Sequence, residues 1–381
     1  MTMEAEHDAR PLPVLRAMVD TTDRQILQLL ARRASLVREV AQYKREHHVP
    51  IRDERRERFI IEDRTRNAGE LGLSPEVIES IFRLIMWDSR DRQAALRAEL
   101  PLDLEPRTVA VIGGKGGMGS CLARMFADLG HHVMIADLDT ATTPQEAAGV
   151  ADVVVISVPI ACTVEVIREL GPRVRPDALL MDVTSVKSEP VRAMLEATPA
   201  SVVGTHPMFG PPIHSLQGQR VVLCPARGDA WADWVREMFR ARGLTIRETT
   251  PERHDRLMAV VQVLVHFSTE VMGRALSRFG VSIDETLSYT SPVYLMELLM
   301  TARHFAQSAD LYASIEMSNP ETERVTATFA EAVQELRAAV LAGDRRAFHD
   351  LFEEVRGFFG SFTDAALEQS GFLIDRLVER S

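Results

Sequence analysis

Three groups of residues in this sequence have the types and spacing to do chemistry. The first is cationic. Arg33 and Lys44 are eleven positions apart, three helical turns, so on a helix they share one face to within about 20°. Arg16 would lie about 80–100° around from both. Most arginines are solvated surface charges. Cations turned inward on an apolar scaffold would instead suit a small polyanion such as a dicarboxylate. The second group is glycine. In Val109-Ala110-Val111-Ile112-Gly113-Gly114-Lys115-Gly116-Gly117-Met118-Gly119 an apolar run stops at clustered glycines and a helical pattern follows. Gly114, Gly116 and Gly119 fit the G-x-G-x-x-G spacing: a tight turn, room for a pyrophosphate against bare backbone, and close packing of helix on strand. The third is His206, which follows the apolar run from Val202 to Thr205 and precedes Pro207 and Gly210, residues that fix a loop. A lone histidine at a strand end is more often structural. This one falls at the carboxyl edge of a sheet, where open α/β folds bind ligands.

The glycine loop needs a strand before it and a helix after it. Residues 109–112 supply the strand, and a helix from about Met118 to Leu129, ended by Gly130, would aim its free N–H groups at the pyrophosphate. His132 to Ala136 reads as a second strand, closed by Asp137 about 20 residues past the glycines, where a ribose 2′-hydroxyl would be held. A carboxylate there repels a 2′-phosphate and favours NAD over NADP. Asp139 is a substitute for Asp137, and Lys115 in the loop argues mildly against strict NAD use. The near-continuous apolar run Asp152 to Pro159 suits a strand covered on both faces. The cofactor-binding set is then Gly114, Gly116, Gly117, Met118 and Gly119, with Asp137 and with Ser157, Val158 and Pro159. Further strands are expected at 178–183, which delivers Thr184-Ser185-Val186-Lys187, and at 202–205, 220–224 and 244–246, with a Trp231/Trp234 helix before the last.

The cations lie in a different setting. Leu15, Val19, Ile26, Leu29, Leu30, Val37 and Val40 recur at three and four residues, predicting one helix over 12–47, about 50 Å long. A helix that long with one apolar stripe buries it against a partner chain. Val49-Pro50 breaks it. A second helix is expected from Asp53 to about Ala68 and a third from Pro75 to about Leu100. Pro101 and Pro106 frame a short linker. From Pro251 the chain reads as helices to its end. His254 and His266 are twelve apart, roughly 120° around a helix, so they form no single metal face.

The chain has 381 residues, enough for two or three domains, with 46% hydrophobic and 26% charged residues. No apolar run approaches a membrane span, and the polar N-terminus carries no signal peptide. Cys121, Cys162 and Cys224 are odd in number and widely spaced, which fits reduced thiols in the cytoplasm rather than disulfides or a metal site. Residues 1–100 hold 18 Lys+Arg against 18 Asp+Glu, so the remainder, with 26 against 37, carries the whole net charge of −11. An acidic body argues against nucleic acid as partner.

The N-terminal segment resembles the helical chorismate mutase family, an intertwined dimer of three-helix chains. The matching residues, ungapped from about 15 to 93, are Leu15-Arg16, Asp23, Leu29-Leu30-Ala31-Arg32-Arg33, Val40, Lys44, Pro50-Ile51-Arg52-Asp53, Arg56-Glu57, Ser89 and Gln93. The resemblance implies that Arg16 (from the other protomer), Arg33 and Arg56 bind the substrate carboxylates. Lys44 and Gln93 would hydrogen-bond the ether oxygen, and Asp53 and Glu57 would hold the ring hydroxyl with Ser89 nearby. Chorismate to prephenate is an intramolecular rearrangement, so fixing a compact conformer and stabilising charge on the breaking C–O bond would suffice.

Gly204 to Pro211, with Ser185-Val186-Lys187 upstream, resembles prephenate dehydrogenase. Together the two matches, over about 15 to 360, resemble the bifunctional chorismate mutase–prephenate dehydrogenases of tyrosine biosynthesis. His206 would then take the proton of the substrate's 4-hydroxyl as hydride leaves for NAD, Ser185 would share a hydrogen bond with that hydroxyl or with His206, and Lys187 and His266 would lie near the substrate. Arg303 would bind the ring carboxylate, and tyrosine would be a feedback ligand. The chain departs from close bifunctional relatives at Leu295, where they carry arginine. The resemblance implies three domains: an all-α chorismate mutase domain over 1–100, an α/β Rossmann-type domain over 101–250, and an all-α C-terminal dimerisation domain over 251–381. Apolar residues between Leu311 and Phe372 fit a helical dimer interface, and Met296, Met300 and Met317 are expected in the core. Two alternatives stay open: the same chemistries on 4-amino-4-deoxychorismate, and a catalytically silent dinucleotide or tyrosine sensor.

Overall fold

The computed structural model describes residues 10–47, 53–99, 105–211, 213 and 215–378. The expected break at Val49-Pro50, the Pro50-Ile51-Arg52 part of the first resemblance and most of the linker lie outside them.

Three helices open the chain: α1 (Leu12–Glu46), α2 (Glu54–Glu70) and α3 (Pro75–Glu99). Asp53 starts α2 by accepting the Arg56 N–H at 2.9 Å, and Ser74 stands before Pro75 at the first position of α3. Helices α1 and α2 both pack on α3. Most of the apolar stripe of α1 is left uncovered within the chain: Val19, Ile26 and Leu29 are 50–64% exposed, while Val37 is buried.

A seven-stranded sheet follows: β1 (Thr108–Ile112), β2 (His132–Ala136), β3 (Val153–Ile156), β4 (Leu179–Asp182), β5 (Ser201–Pro207), β6 (Arg220–Arg227) and β7 (Thr245–Glu248), in the order β2-β1-β3-β4-β5-β6-β7. Alternation along each strand splits the core between two faces. Val109, Val111, Val153 and Val155 pack on α4 (Gly117–Asp128) and α8 (Asp229–Ala241). Ala110, Ile112, Val154 and Ile156 pack on α5 (Pro144–Val150), α6 (Ile160–Leu170) and α7 (Ser188–Ala197). Strands β1 to β5 are parallel. Strand β6 runs antiparallel to β5, and β7 parallel to β6. The reversal fits the link before β6, in whose described residues no crossover helix of the kind a parallel neighbour requires is found.

The remaining helices are α9 (Pro251–Met258), α10 (Val265–Arg278), α11 (Ile283–Ser288), α12 (Pro292–Phe305), α13 (Ala309–Ser318), α14 (Thr322–Ala342), α15 (Arg345–Phe359) and α16 (Phe362–Val378). Between α9 and α10 the helix widens into a π segment, Ala259–Leu264. Helix α9 packs on α7, and α13 on α6, which docks this bundle on the sheet domain. The expected methionine core is corrected. Met300 and Met317 are 59% and 83% exposed, because they stand on faces that nothing covers within one chain. All three cysteines are free, and burial pushes the Cys224 thiol up to about 12.

Candidate active sites

The helical domain gathers most of its predicted residues between α1, α2 and α3. The Arg33 guanidinium on α1 donates to the buried Ser89 hydroxyl on α3, and burial lowers its pKa against the opposing pull of Asp88. One turn on, buried Gln93 donates Nε2 to the Ser89 carbonyl at 3.1 Å, while its Oε1 has no partner. Burial also pushes the Lys44 ammonium down, with Asp53 and Glu57 pulling it back up. Glu57 is held at 2.8 Å by Arg90, a residue the sequence did not single out. Arg56 is exposed and lies over the Phe59 ring. Arg16 is not part of this cluster. It precedes Arg33 by seventeen residues of one helix, an axial separation of about 26 Å.

The glycine loop is as tight as its spacing predicts. Gly113 has φ +79°, and a Cβ there would lie 2.4 Å from the Ser157 carbonyl oxygen and 3.1 Å from Val158 Cγ1. A Cβ on Gly119 would lie 2.3 Å from the Gly113 oxygen, so α4 meets β1 only because that side chain is absent. Gly116 and Gly117 leave the start of α4 without a side-chain cap, its N–H groups open to a phosphate. Met118 packs into the core beneath, and Pro159 caps α6 opposite. Asp137, just past β2, accepts the Lys115 N–H at 3.0 Å and the Leu138 N–H at 2.9 Å. Lys115 Nζ pairs with Asp139 at 2.7 Å.

His206 sits at the end of β5, 3% exposed. Its loop reaches the glycine loop, since a Cβ on Gly117 would stand 2.7 Å from Pro211 Cγ. Nucleotide cradle and histidine therefore border one site. His206 Nδ1 lies 2.9 Å from His254 Nε2, and His254 Nδ1 lies 2.8 Å from Asp255 Oδ1. On the other side, the Gln262 amide nitrogen is 3.4 Å from His206 Nε2, presented by the π segment, a local widening common at functional sites. Gln262 Oε1 is buried without a partner. Burial, then the fields of His254 and Lys187, hold the His206 pKa well below the ordinary value, with Asp255 opposing. It is thus a neutral imidazole at physiological pH.

Lys187 is fully buried, its ammonium bonded to Asp182 and, at 2.8 Å, to the Thr205 carbonyl, so it buttresses β4 and β5 beside His206. Ser185 stays half-buried on the same loop. His266 and Arg303 belong to a second grouping on the helical bundle. The His266 ring lies 4.8 Å from Tyr312 and 5.5 Å from His304, its Nδ1 unpartnered. His304 stacks on Tyr312 at 3.8 Å and bonds Glu270 at 3.0 Å. Arg303 is exposed in the last turn of α12, and Leu295 half-buried near its start. His254, Asp255 and Gln262 are the residues that sequence reasoning undervalued. The adjacent His-Asp pair was the available signal. Among the described residues no cluster could hold a metal ion.

An all-α domain lined with cations, joined to a dinucleotide-type sheet with a buried neutral histidine beside its glycine loop, defines an enzyme of two separate activities. Comparison with known proteins agrees. Residues 15–94 match chorismate mutase type II, 122–247 the prephenate dehydrogenase nucleotide-binding domain, and 250–354 the prephenate dehydrogenase dimerization domain. The chain is 35% identical to the T-protein of Haemophilus influenzae, over 95% of this chain and 96% of that one. It is equally similar to the T-protein of Enterobacter agglomerans, over 95% and 97%. In fold it is similar to the Aquifex aeolicus prephenate dehydrogenase solved with hydroxyphenyl propionate and NAD+, with TM-score 0.56 and 19% identity over 67% of this chain and 98% of that one. The chain belongs to the T-protein family. It is a bifunctional chorismate mutase and prephenate dehydrogenase of tyrosine biosynthesis.

Proposed function

We propose how the two activities are divided among these residues. In the helical domain Arg33, with Arg16 of the partner subunit and Arg56, binds the carboxylates of chorismate. Lys44 and Gln93 donate to the ether oxygen as its C–O bond breaks, Asp53 and Glu57 hold the ring hydroxyl, and Ser89 fixes Arg33. The step needs no nucleophile and no proton transfer, so cationic and amide donors in a desolvated pocket suffice. The desolvated Lys44 and the buried Gln93 support this reading.

In the sheet domain NAD, held by the glycine loop, Asp137 and the 157–159 turn, supplies the hydride acceptor when bound. His206 Nε2 takes the proton of the 4-hydroxyl, and Ser185 shares that hydrogen bond. The ring carboxylate leaves as CO2, its bonding pair makes the ring aromatic, and the resulting phenolate oxygen takes the proton back from His206, giving 4-hydroxyphenylpyruvate. The observation that carries this half is the placement of neutral, buried His206 against the glycine loop through Pro211. Arg303 and His266 approach the substrate from the helical bundle.

The working unit is a homodimer. The bare stripe of α1, and Phe352, Phe358 and Phe362 on α15 and α16 at 52–84% exposure, are the faces it covers. Three free cysteines fit the cytoplasm, and no helix among the described residues is long and apolar enough to cross a membrane. Tyrosine as feedback ligand follows from family resemblance.

The test is purified protein given chorismate plus NAD+, and separately 4-amino-4-deoxychorismate plus NAD+, with NADH followed at 340 nm. NADH from chorismate is expected. A response only to the amino compound moves the substrate to the amine series and makes Leu295 the first residue to revert to arginine. Silence with both, in folded protein, supports the sensor.

A further inference from the structure

We infer that Asp255 and His254 fix the proton position on His206, leaving the lone pair on Nε2 as the base. The two are positioning residues, and the inference rests on the reading of His206 as that base. Hydrogen-bond roles propagate along the line without choice. A carboxylate only accepts. Asp255 Oδ1 accepts the Lys187 N–H at 2.8 Å and Oδ2 the Ser188 N–H at 2.9 Å, so the first turn of α7 clamps both oxygens. The backbone oxygen of Asp255 also accepts from buried Asn319 at 2.8 Å, which ties the same residue to the turn between α13 and α14. At 2.8 Å from Oδ1, His254 Nδ1 must donate. A neutral His254 then accepts at Nε2. His206 Nδ1, 2.9 Å away, must donate to it. The only lone pair left on His206 is on Nε2, the nitrogen that faces the Gln262 amide N–H2.

The surroundings keep the line in this state. Burial lowers the pKa of both His206 and His254. Burial pulls Asp255 up, but hydrogen bonds from His254, Ser188 and the α7 backbone outweigh it and leave the carboxyl ionised. Lys187, the nearest cation, spends its charge on Asp182 and the Thr205 carbonyl. When the substrate O–H bond breaks and an N–H bond forms at Nε2, His206 carries the positive charge. His254 still accepts from Nδ1, and the Asp255 charge lies one ring beyond. No proton leaves His206 toward Asp255. Such an arrangement orients a base and stabilises its cation, which is where an aspartate behind a catalytic histidine acts in hydrolases.

The experiment compares His206→Asn, His254→Phe and His254→Gln in the full-length enzyme. His254→Phe keeps volume and removes the acceptor, and His254→Gln restores an acceptor at the position of Nε2. For prephenate oxidation His254→Phe is expected to lower kcat by about 10- to 100-fold, the usual effect of losing an orienting outer partner. KM for prephenate and the mutase rate should stay unchanged, and the acid limb of the kcat profile should move. His254→Gln should recover part of kcat. Imidazole 15N spectra should show His206 as the Nδ1–H tautomer in wild type and a mixture in His254→Phe. If His206→Asn retains the wild-type rate, the base reading itself fails. If His206→Asn is inactive while His254→Phe keeps wild-type kcat and His206 stays Nδ1–H, the positioning role is overturned. Should His254→Phe misfold, as lost NAD+ binding or a lowered melting temperature would reveal, His254→Gln decides: partial activity with the Nδ1–H tautomer supports the role, and a fixed Nε2–H tautomer overturns it.

Discussion

Lys115 Nζ stands 2.7 Å from Asp139 Oδ1, across the mouth of the glycine loop from Asp137. The lysine that would attract a 2′-phosphate is thereby occupied, and the acid that would repel it is left in place. Asp139→Asn should free Lys115 and raise kcat/KM with NADP by about 2- to 5-fold, the scale of one exposed pair. Asp137→Asn should raise KM for NAD about 10-fold, the loss of one charged hydrogen bond. Steady-state kinetics with both nucleotides decide. Unchanged NAD kinetics in Asp137→Asn would move the ribose contact elsewhere.

Gly119→Ala tests the cradle. Its methyl group would meet the Gly113 oxygen at 2.3 Å and Gly114 Cα at 2.9 Å, both backbone atoms that cannot swing aside. Overpacking strain of 1–3 kcal/mol corresponds to about 10- to 100-fold in NAD affinity. Isothermal titration with NAD+ should show it, and the mutase rate should not change.

Lys44→Ala separates the two activities. Removing one preorganised donor to a developing oxyanion costs about 10²–10³ in kcat. Chorismate disappearance should slow by that factor while prephenate oxidation keeps its wild-type rate. Equal loss of both would mean that Lys44 supports the fold and not the mutase chemistry.

Glu316 carries a pH signature. Burial, then the charge of neighbouring Glu270 and a hydrogen bond with it, push its carboxyl up to about 7. The folded value is above the unfolded one, so the protonated form is the stabilised one. Its contribution is complete below about pH 4.5 and lost as pH rises through about 7. Glu316→Gln should therefore melt at the same temperature as wild type near pH 4.5 and about 1–3 °C higher at pH 8, a modest gain because the group is partly solvated. Equal melting curves at pH 8 would show that the pair sheds its strain in solution.

Much of this molecule is visible in its sequence where the determinants are local. Gly130, at φ +86°, ends α4, and β2 occupies the predicted His132–Ala136. The apolar run 153–156 is fully buried, as continuous hydrophobicity implies. What was missed is long-range. Alternation along β6 is the same in either direction, so its antiparallel pairing with β5 could not be read from it. The hold of Lys187 on the Thr205 carbonyl is visible only once β4 and β5 are paired. His254 gave a single helical position with no distinguishing period. Its approach to His206 across 48 residues, and the π segment that brings Gln262 there, depend on how two domains dock.

The length of α1 has a genetic consequence. Arg16 and Arg33 are about 26 Å apart on one helix, so in the proposed homodimer each mutase pocket would draw on both chains. Two alleles, Arg16→Ala and Arg33→Ala, should each be mutase-dead alone. In a mixed dimer one pocket collects both lesions and the other none. Random assortment makes half the dimers mixed, so a cell expressing both alleles should recover about a quarter of wild-type mutase activity. Two defective copies would complement one another, and a cell would grow without tyrosine on genes that fail singly.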